Sequence, residues 1–364
     1  MNDKTRLDNL NILRGFSAFI IVLYHIKNNV GCNFGAFNWL FGHAAIWMTV
    51  FFVLSGFTLY YNYCDYSFDD FKSVKSFMRK RLASIYPTYA LIWIVYFIAL
   101  FKDTAVRDDI ITFPMQFSLL FSVNYYNYLI NTGLWFFSCI FVCYLIFPYL
   151  CSLVKTMTNR DVAVLFLFAY VLNSFLPFKV VGSYYSAFCR VLEFTAGICT
   201  AKIFEERKIR ISGIAALLIC VVALAGNFIL EKINFISLAY NQERINFFSL
   251  PMSCVCIYAL SCCRAKSVKI AAKNFITTFF SEHSLGCYVG ALPAQLIFTS
   301  LFENRVQNNV CIFLIVFVLN IIFAVLIDKY SSFSKKIIAK IGLKKIMACY
   351  AAVLLISIAA KILL

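Results

Sequence analysis

Long apolar runs, each close to the length of a membrane crossing and separated by short polar or basic stretches, recur from one end of the chain to the other. A hydrocarbon core about 30 Å thick needs roughly 20 helical residues per crossing. The pattern predicts spanning helices over Leu13 to Lys27, Ala44 to Tyr63, Leu82 to Phe101 and Leu134 to Leu153. It continues with Val162 to Phe178, Ser186 to Phe204, Ile211 to Leu230, Phe247 to Cys262, Ser284 to Phe302 and Val310 to Ile327. The expected fold is therefore an all-α, polytopic transmembrane bundle of about ten helices. A last apolar run, Ile346 to Leu364, is either an eleventh helix or an amphipathic tail in the interface, because Lys361 interrupts it.

Composition agrees with this segmentation. Of 364 residues, 62% are hydrophobic and 14% charged, more apolar side chain than one soluble core can bury, so the surplus must face lipid. No stretch is long and polar enough to form a separate soluble domain, and no linker or short repeat interrupts the chain. One integral membrane domain is expected over 1–364, with no appended soluble domain. Lys4 and Arg6 ahead of an apolar stretch resemble the front of a secretory signal, but no convincing cleavage site follows, and a retained helix is expected.

The net charge of +16 is distributed as a topology signal and not as a nucleic-acid surface, so no nucleic-acid partner is expected. With the N-terminus in the cytoplasm, all the strongly basic loops fall on one side: Lys72 to Arg81, Lys155 and Arg160, Arg207 to Arg210, Arg264 to Lys273, and Lys335 to Lys345. The opposite loops are poor in Lys and Arg, and residues 28–43 have none. The 15 cysteines lie mostly inside apolar segments, where a thiol packs as a small hydrophobe. None has zinc-ligand spacing, and no metal is expected.

Ionisable residues inside membrane helices are costly and commonly face a polar interior. In the first helix ten residues separate Arg14 from His25. Eleven steps of about 100° bring both onto one face, about 16 Å apart along the axis. Imidazole titrates near operating pH, so His25 has the chemistry of a general base, whereas a packed core histidine is the plainer reading. Arg14 near the helix end also suits snorkelling to headgroups. Arg190 and Glu193, three apart, share a helix face and could neutralise each other, with substrate orientation a secondary role. His43, near the outer end of the second helix, is a weaker candidate of that kind, and His283 falls on the cytoplasmic side. Aromatic clusters such as Tyr125, Tyr126 and Tyr128 suit interfacial belts.

These residues occur in a recognisable order. Arg14 and His25 after LDNLNILRG, FFVLSGF over Phe51 to Phe57, the basic FMRKRLASIYPTY over Phe77 to Tyr89, LWFFSCIFVCYLIFP over Leu134 to Pro148, and RVLEFTAGI over Arg190 to Ile198 together resemble the acyltransferase 3 family. Its members modify O-antigens, exopolysaccharides and related glycans, and the resemblance covers nearly the whole chain. Three positions depart from common family patterns: Ser84 stands where a further arginine is usual, Ile140 where some members have glutamate, and Ala291 where many have histidine. The resemblance implies transfer of an acyl group, most often acetyl, from cytoplasmic acyl-CoA to a hydroxyl of a cell-surface or lipid-linked glycan in the cell membrane. It implies catalytic roles for His25 and Arg14. Arg79, Lys80, Arg81 and Ser55 become donor-binding candidates, although positive residues flank most membrane helices and a serine before glycine also suits close packing. A secondary transporter would also use buried charges in ten helices, but such proteins tend to show two related halves, and none is visible here.

Overall fold

The computed structural model describes residues 7–42, 45–99, 115–123, 133–175, 183–207, 209–232, 246–263, 274–302 and 305–342, with short helical pieces beyond 342. His43 and the tyrosines of 124–132 lie outside the described residues. Twelve α-helices are described: α1 Leu10–Val30, α2 Asn38–Gly42, α3 Ala45–Tyr63, α4 Phe71–Ala99, α5 Trp135–Thr156, α6 Asn159–Phe175, α7 Ala187–Arg207, α8 Gly213–Lys232, α9 Asn246–Cys262, α10 Phe275–Glu282, α11 Ser284–Leu301 and α12 Asn309–Ile341. Among the described residues the one extended pairing is an isolated bridge between Ile211 and Cys263.

Among the described residues five helices, α1, α5, α8, α11 and α12, are long and apolar enough to cross a membrane. A sixth span arises if the segment Gly35–Gly42 is joined to α3 across a 42° bend. The other apolar segments are helical too, but α6 and α9 have only 17 residues, and α4 carries its basic cluster in its first half.

Helix ends follow ordinary capping chemistry. Asp70 Oδ1 accepts from the Ser73 amide at 2.9 Å, which starts α4 eleven residues before the apolar stretch and holds the Asp70 carboxyl below its usual range. Thr158 and Asp161 form a reciprocal capping box on α6, and Asn308 Oδ1 accepts from the Val310 amide at 2.9 Å on α12. Gly31, at φ 75°, ends α1 by returning its amide to Lys27 O.

The centre of the bundle is the contact of α3 with α7. A Cβ placed on Gly56 would lie 2.0 Å from Phe194 O, and one on Gly197 would lie 2.0 Å from Val53 O. With only hydrogen at these positions the two backbones touch directly, which is how membrane helices gain dispersion energy without a hydrophobic driving force. Gly15 does the same for α1 against Thr277 of α10, whose carbonyl would be 2.7 Å from an added Cβ. The outward surface is apolar. Val310, Leu314, Val318, Ile322 and Leu326 recur every four residues along α12 and are all exposed, as a lipid-facing stripe requires.

Candidate active site

Where the N-terminal half of α1 meets the C-terminal half of α3, a cleft of about 420 Å³ opens at the end of the bundle that carries the basic clusters. It is lined by Arg14, Ser55, Thr58, Leu59, Asn62, Tyr63, Arg81 and Tyr144. Five of these come from α3 at spacings of three and four, so one face of that helix supplies most of the wall. Arg81 is presented by α4 because Phe77, one turn earlier, is buried and fixes which face of α4 points inward. Its Nη2 donates to Tyr63 Oη at 3.1 Å, and its guanidinium carbon lies 5.5 Å from the Tyr63 ring centroid and 5.9 Å from that of Tyr144. Arg81 Nε is buried and without a hydrogen-bond partner among the described residues. Two guanidinium groups with hydroxyls, an amide and no carboxylate in the lining suit an anionic ligand with several acceptor oxygens.

At the other end of α1, His25 is half-buried. Its Nδ1 is 3.2 Å from Nδ2 of Asn29, and its ring lies 5.3 Å from that of Tyr24 and 6.1 Å from that of Tyr288 on α11. Gln295, two turns beyond Tyr288, donates to Asn29 O at 3.3 Å. Because α1 is unbroken from Leu10 to Val30, Arg14 and His25 do share a face. Two buried polar groups sit on helices α1 and α3 between these levels without a hydrogen-bond partner among the described residues: Ser17 Oγ and Trp47 Nε1.

The remaining candidates lie elsewhere. Arg190 and Glu193 are fully buried within α7. Arg190 Nη1 donates to both Glu193 oxygens at 2.8 and 2.9 Å, while Nε and Nη2 donate to Tyr184 O at 3.0 and 2.8 Å. The guanidinium is enclosed by Phe52, Trp135 and Tyr184, its carbon 4.6 Å from the Tyr184 ring centroid, and Glu193 also accepts from Thr49 Oγ1 at 3.0 Å. With its donors committed inside the bundle, this pair ties α7 to α3, which is the structural reading. Arg79 and Lys80 are exposed and do not line the cleft, so of the basic triplet only Arg81 does. His283 Nδ1 pairs with Asp328 Oδ2 at 2.5 Å, joining the α10–α11 junction to α12. Sequence reasoning missed Thr58, Asn62, Tyr63 and Tyr144; the first three could have been found by continuing the helical spacing of three, seven and eight residues along α3 from Ser55.

A bundle of apolar helices with a cationic cleft at one end and a histidine farther along the same helix defines a helical membrane protein with a polar interior site. Residues 7–329 match the acyltransferase 3 family, described as an acyltransferase domain. The match spans nearly the whole chain and includes every residue of the cleft, so the chain belongs to this family and is a membrane acyltransferase. No curated protein and no solved structure matches the chain.

Proposed function

We propose that the protein moves an acyl group, acetyl in the first instance, from cytoplasmic acyl-CoA to a hydroxyl of a cell-surface or lipid-linked glycan, with its N-terminus in the cytoplasm of the producing cell. The observation that carries this reading is that Arg14 and Arg81 line one cleft at the basic end of the bundle, and His25 lies on the same face of α1 as Arg14 about 16 Å farther along. A CoA donor is a polyanion, and the positive-inside distribution supports a cleft open to the side where it is made. Arg14 and Arg81 would bind its phosphates, with the Ser55 hydroxyl of the same lining as a further donor, and the pantetheine arm would carry the thioester along α1 to His25.

His25 would act as general base. It takes the proton of the acceptor hydroxyl as that oxygen bonds to the thioester carbon; the carbon–sulfur bond then breaks, and the proton passes on to the departing thiolate. Arg79 and Lys80 would meet lipid headgroups instead of the donor. The test is acyl transfer from radiolabelled acetyl-CoA in membranes containing His25→Ala, with insertion verified. Transfer should fall at least about 100-fold; undiminished turnover refutes the base role. Accumulation of a solute in vesicles without any acyl donor would favour a transporter.

A further inference from the structure

We propose that Asn29 is a positioning residue that selects the tautomer of His25. This rests on the base role given to His25 above. Imidazole can take a proton from a hydroxyl only through a nitrogen that carries none, so one ring nitrogen must hold its hydrogen against a fixed acceptor while the other stays open. The Asn29 side-chain amide is one helical turn beyond His25, with Nδ2 3.2 Å from Nδ1. In that orientation the amide donates to Nδ1, the hydrogen sits on Nε2, and the ring is a donor. Turned by 180°, an amide has almost the same shape and puts Oδ1 opposite Nδ1–H, leaving Nε2 with its lone pair toward the acceptor. The base role requires the second orientation.

The asparagine is braced for this task. It lies in the last turn of α1, where carbonyls have no helical partner, and Gln295 Nε2 caps its own carbonyl at 3.3 Å. Gly31 in the left-handed conformation closes the helix two residues later. Tyr288, on the same α11 face as Gln295, packs its ring against the imidazole. The groups in contact with His25 among the described residues are thus Tyr24 and Asn29 of its own helix and Tyr288 of α11, and no carboxylate is among them. An amide in this position fixes the ring without adding charge. A carboxylate would hold the imidazolium instead.

The experiment compares wild type, N29A, N29D, Q295L and H25A in membranes at matched expression, measuring kcat, KM for acetyl-CoA and the pH profile of kcat/KM. N29A should lose about 10- to 100-fold in kcat with KM for acetyl-CoA unchanged. N29D should retain most of the activity but carry its acidic limb upward by roughly one pH unit, because the carboxylate favours the charged ring. Q295L should show a weaker version of the N29A defect. Wild-type kcat and an unmoved acidic limb in both N29A and N29D, with H25A inactive, would overturn the tautomer role alone. An active H25A would overturn the base role and this inference together.

Discussion

Replacing Arg190 by methionine leaves the Glu193 carboxylate in the middle of the bundle with one remaining hydrogen bond among those described, from Thr49 Oγ1. The substitution removes four hydrogen bonds, two to Glu193 and two to the Tyr184 carbonyl, together with the cation seated among Phe52, Trp135 and Tyr184. Removing one partner of a buried ion pair typically costs about 3–5 kcal/mol, because the other charge stays desolvated. The folding equilibrium should therefore fall by roughly a hundredfold to a few thousandfold. Replacing both residues by methionine removes the stranded charge and should restore more than half of the loss, as apolar replacements of buried pairs are often neutral. Reversible unfolding in mixed detergent and SDS micelles, followed by circular dichroism, reads both quantities. If the single variant is as stable as wild type, or the double variant is no better than the single, the pair does not hold α7 to α3 by mutual neutralisation and the structural reading fails.

Three further outcomes follow from the geometry. Gly56→Ala or Gly197→Ala puts a methyl 2.0 Å from a facing carbonyl oxygen, so the α3–α7 contact must open; each should cost at least about 1–3 kcal/mol in the same unfolding assay, and a wild-type result refutes the close approach. Arg81→Ala should raise KM for the acyl donor at least about tenfold through loss of a charge-assisted contact, while Arg79→Ala and Lys80→Ala change it less than about twofold, and equal effects would remove Arg81 from its special place. Cys311 and Cys349 are exposed. In intact cells a membrane-impermeant maleimide should modify Cys311 and spare Cys349, and the reverse labelling would invert the proposed orientation.

Hydropathy located the helices because lipid contact and core packing both demand apolar surface, yet it misjudged where two of them end. The third predicted segment begins at Leu82, but α4 starts at Phe71, since the Asp70 cap carries the helix through its charged half, where an apolar window sees nothing. The last predicted crossing stops at Ile327, whereas α12 continues to Ile341 for the same reason. Within the site, Arg14, Ser55 and Arg81 stood out through buried charge or motif. Tyr63 and Tyr144 did not, because the chain has 21 tyrosines and a membrane protein places such rings at its interfaces by default. Choosing Arg81 over its neighbours needs the register of α4, because consecutive residues diverge by about 100° around a helix. Asn29 escaped notice because an uncharged amide at a helix end ordinarily needs no partner.

The 33 residues of α12 give a rod about 50 Å long, against a hydrocarbon layer about 30 Å thick. Fitting the whole rod inside the layer would demand a tilt beyond the roughly 40° that membrane helices reach. The stretch bearing Lys335, Lys336 and Lys340 must consequently emerge as a rigid cationic stem, beyond residue 329, where the family match also stops. A reporter fused behind this stem would stand clear of the bilayer surface, and a chain cut just after it would still carry every group of the cleft and of the His25 end.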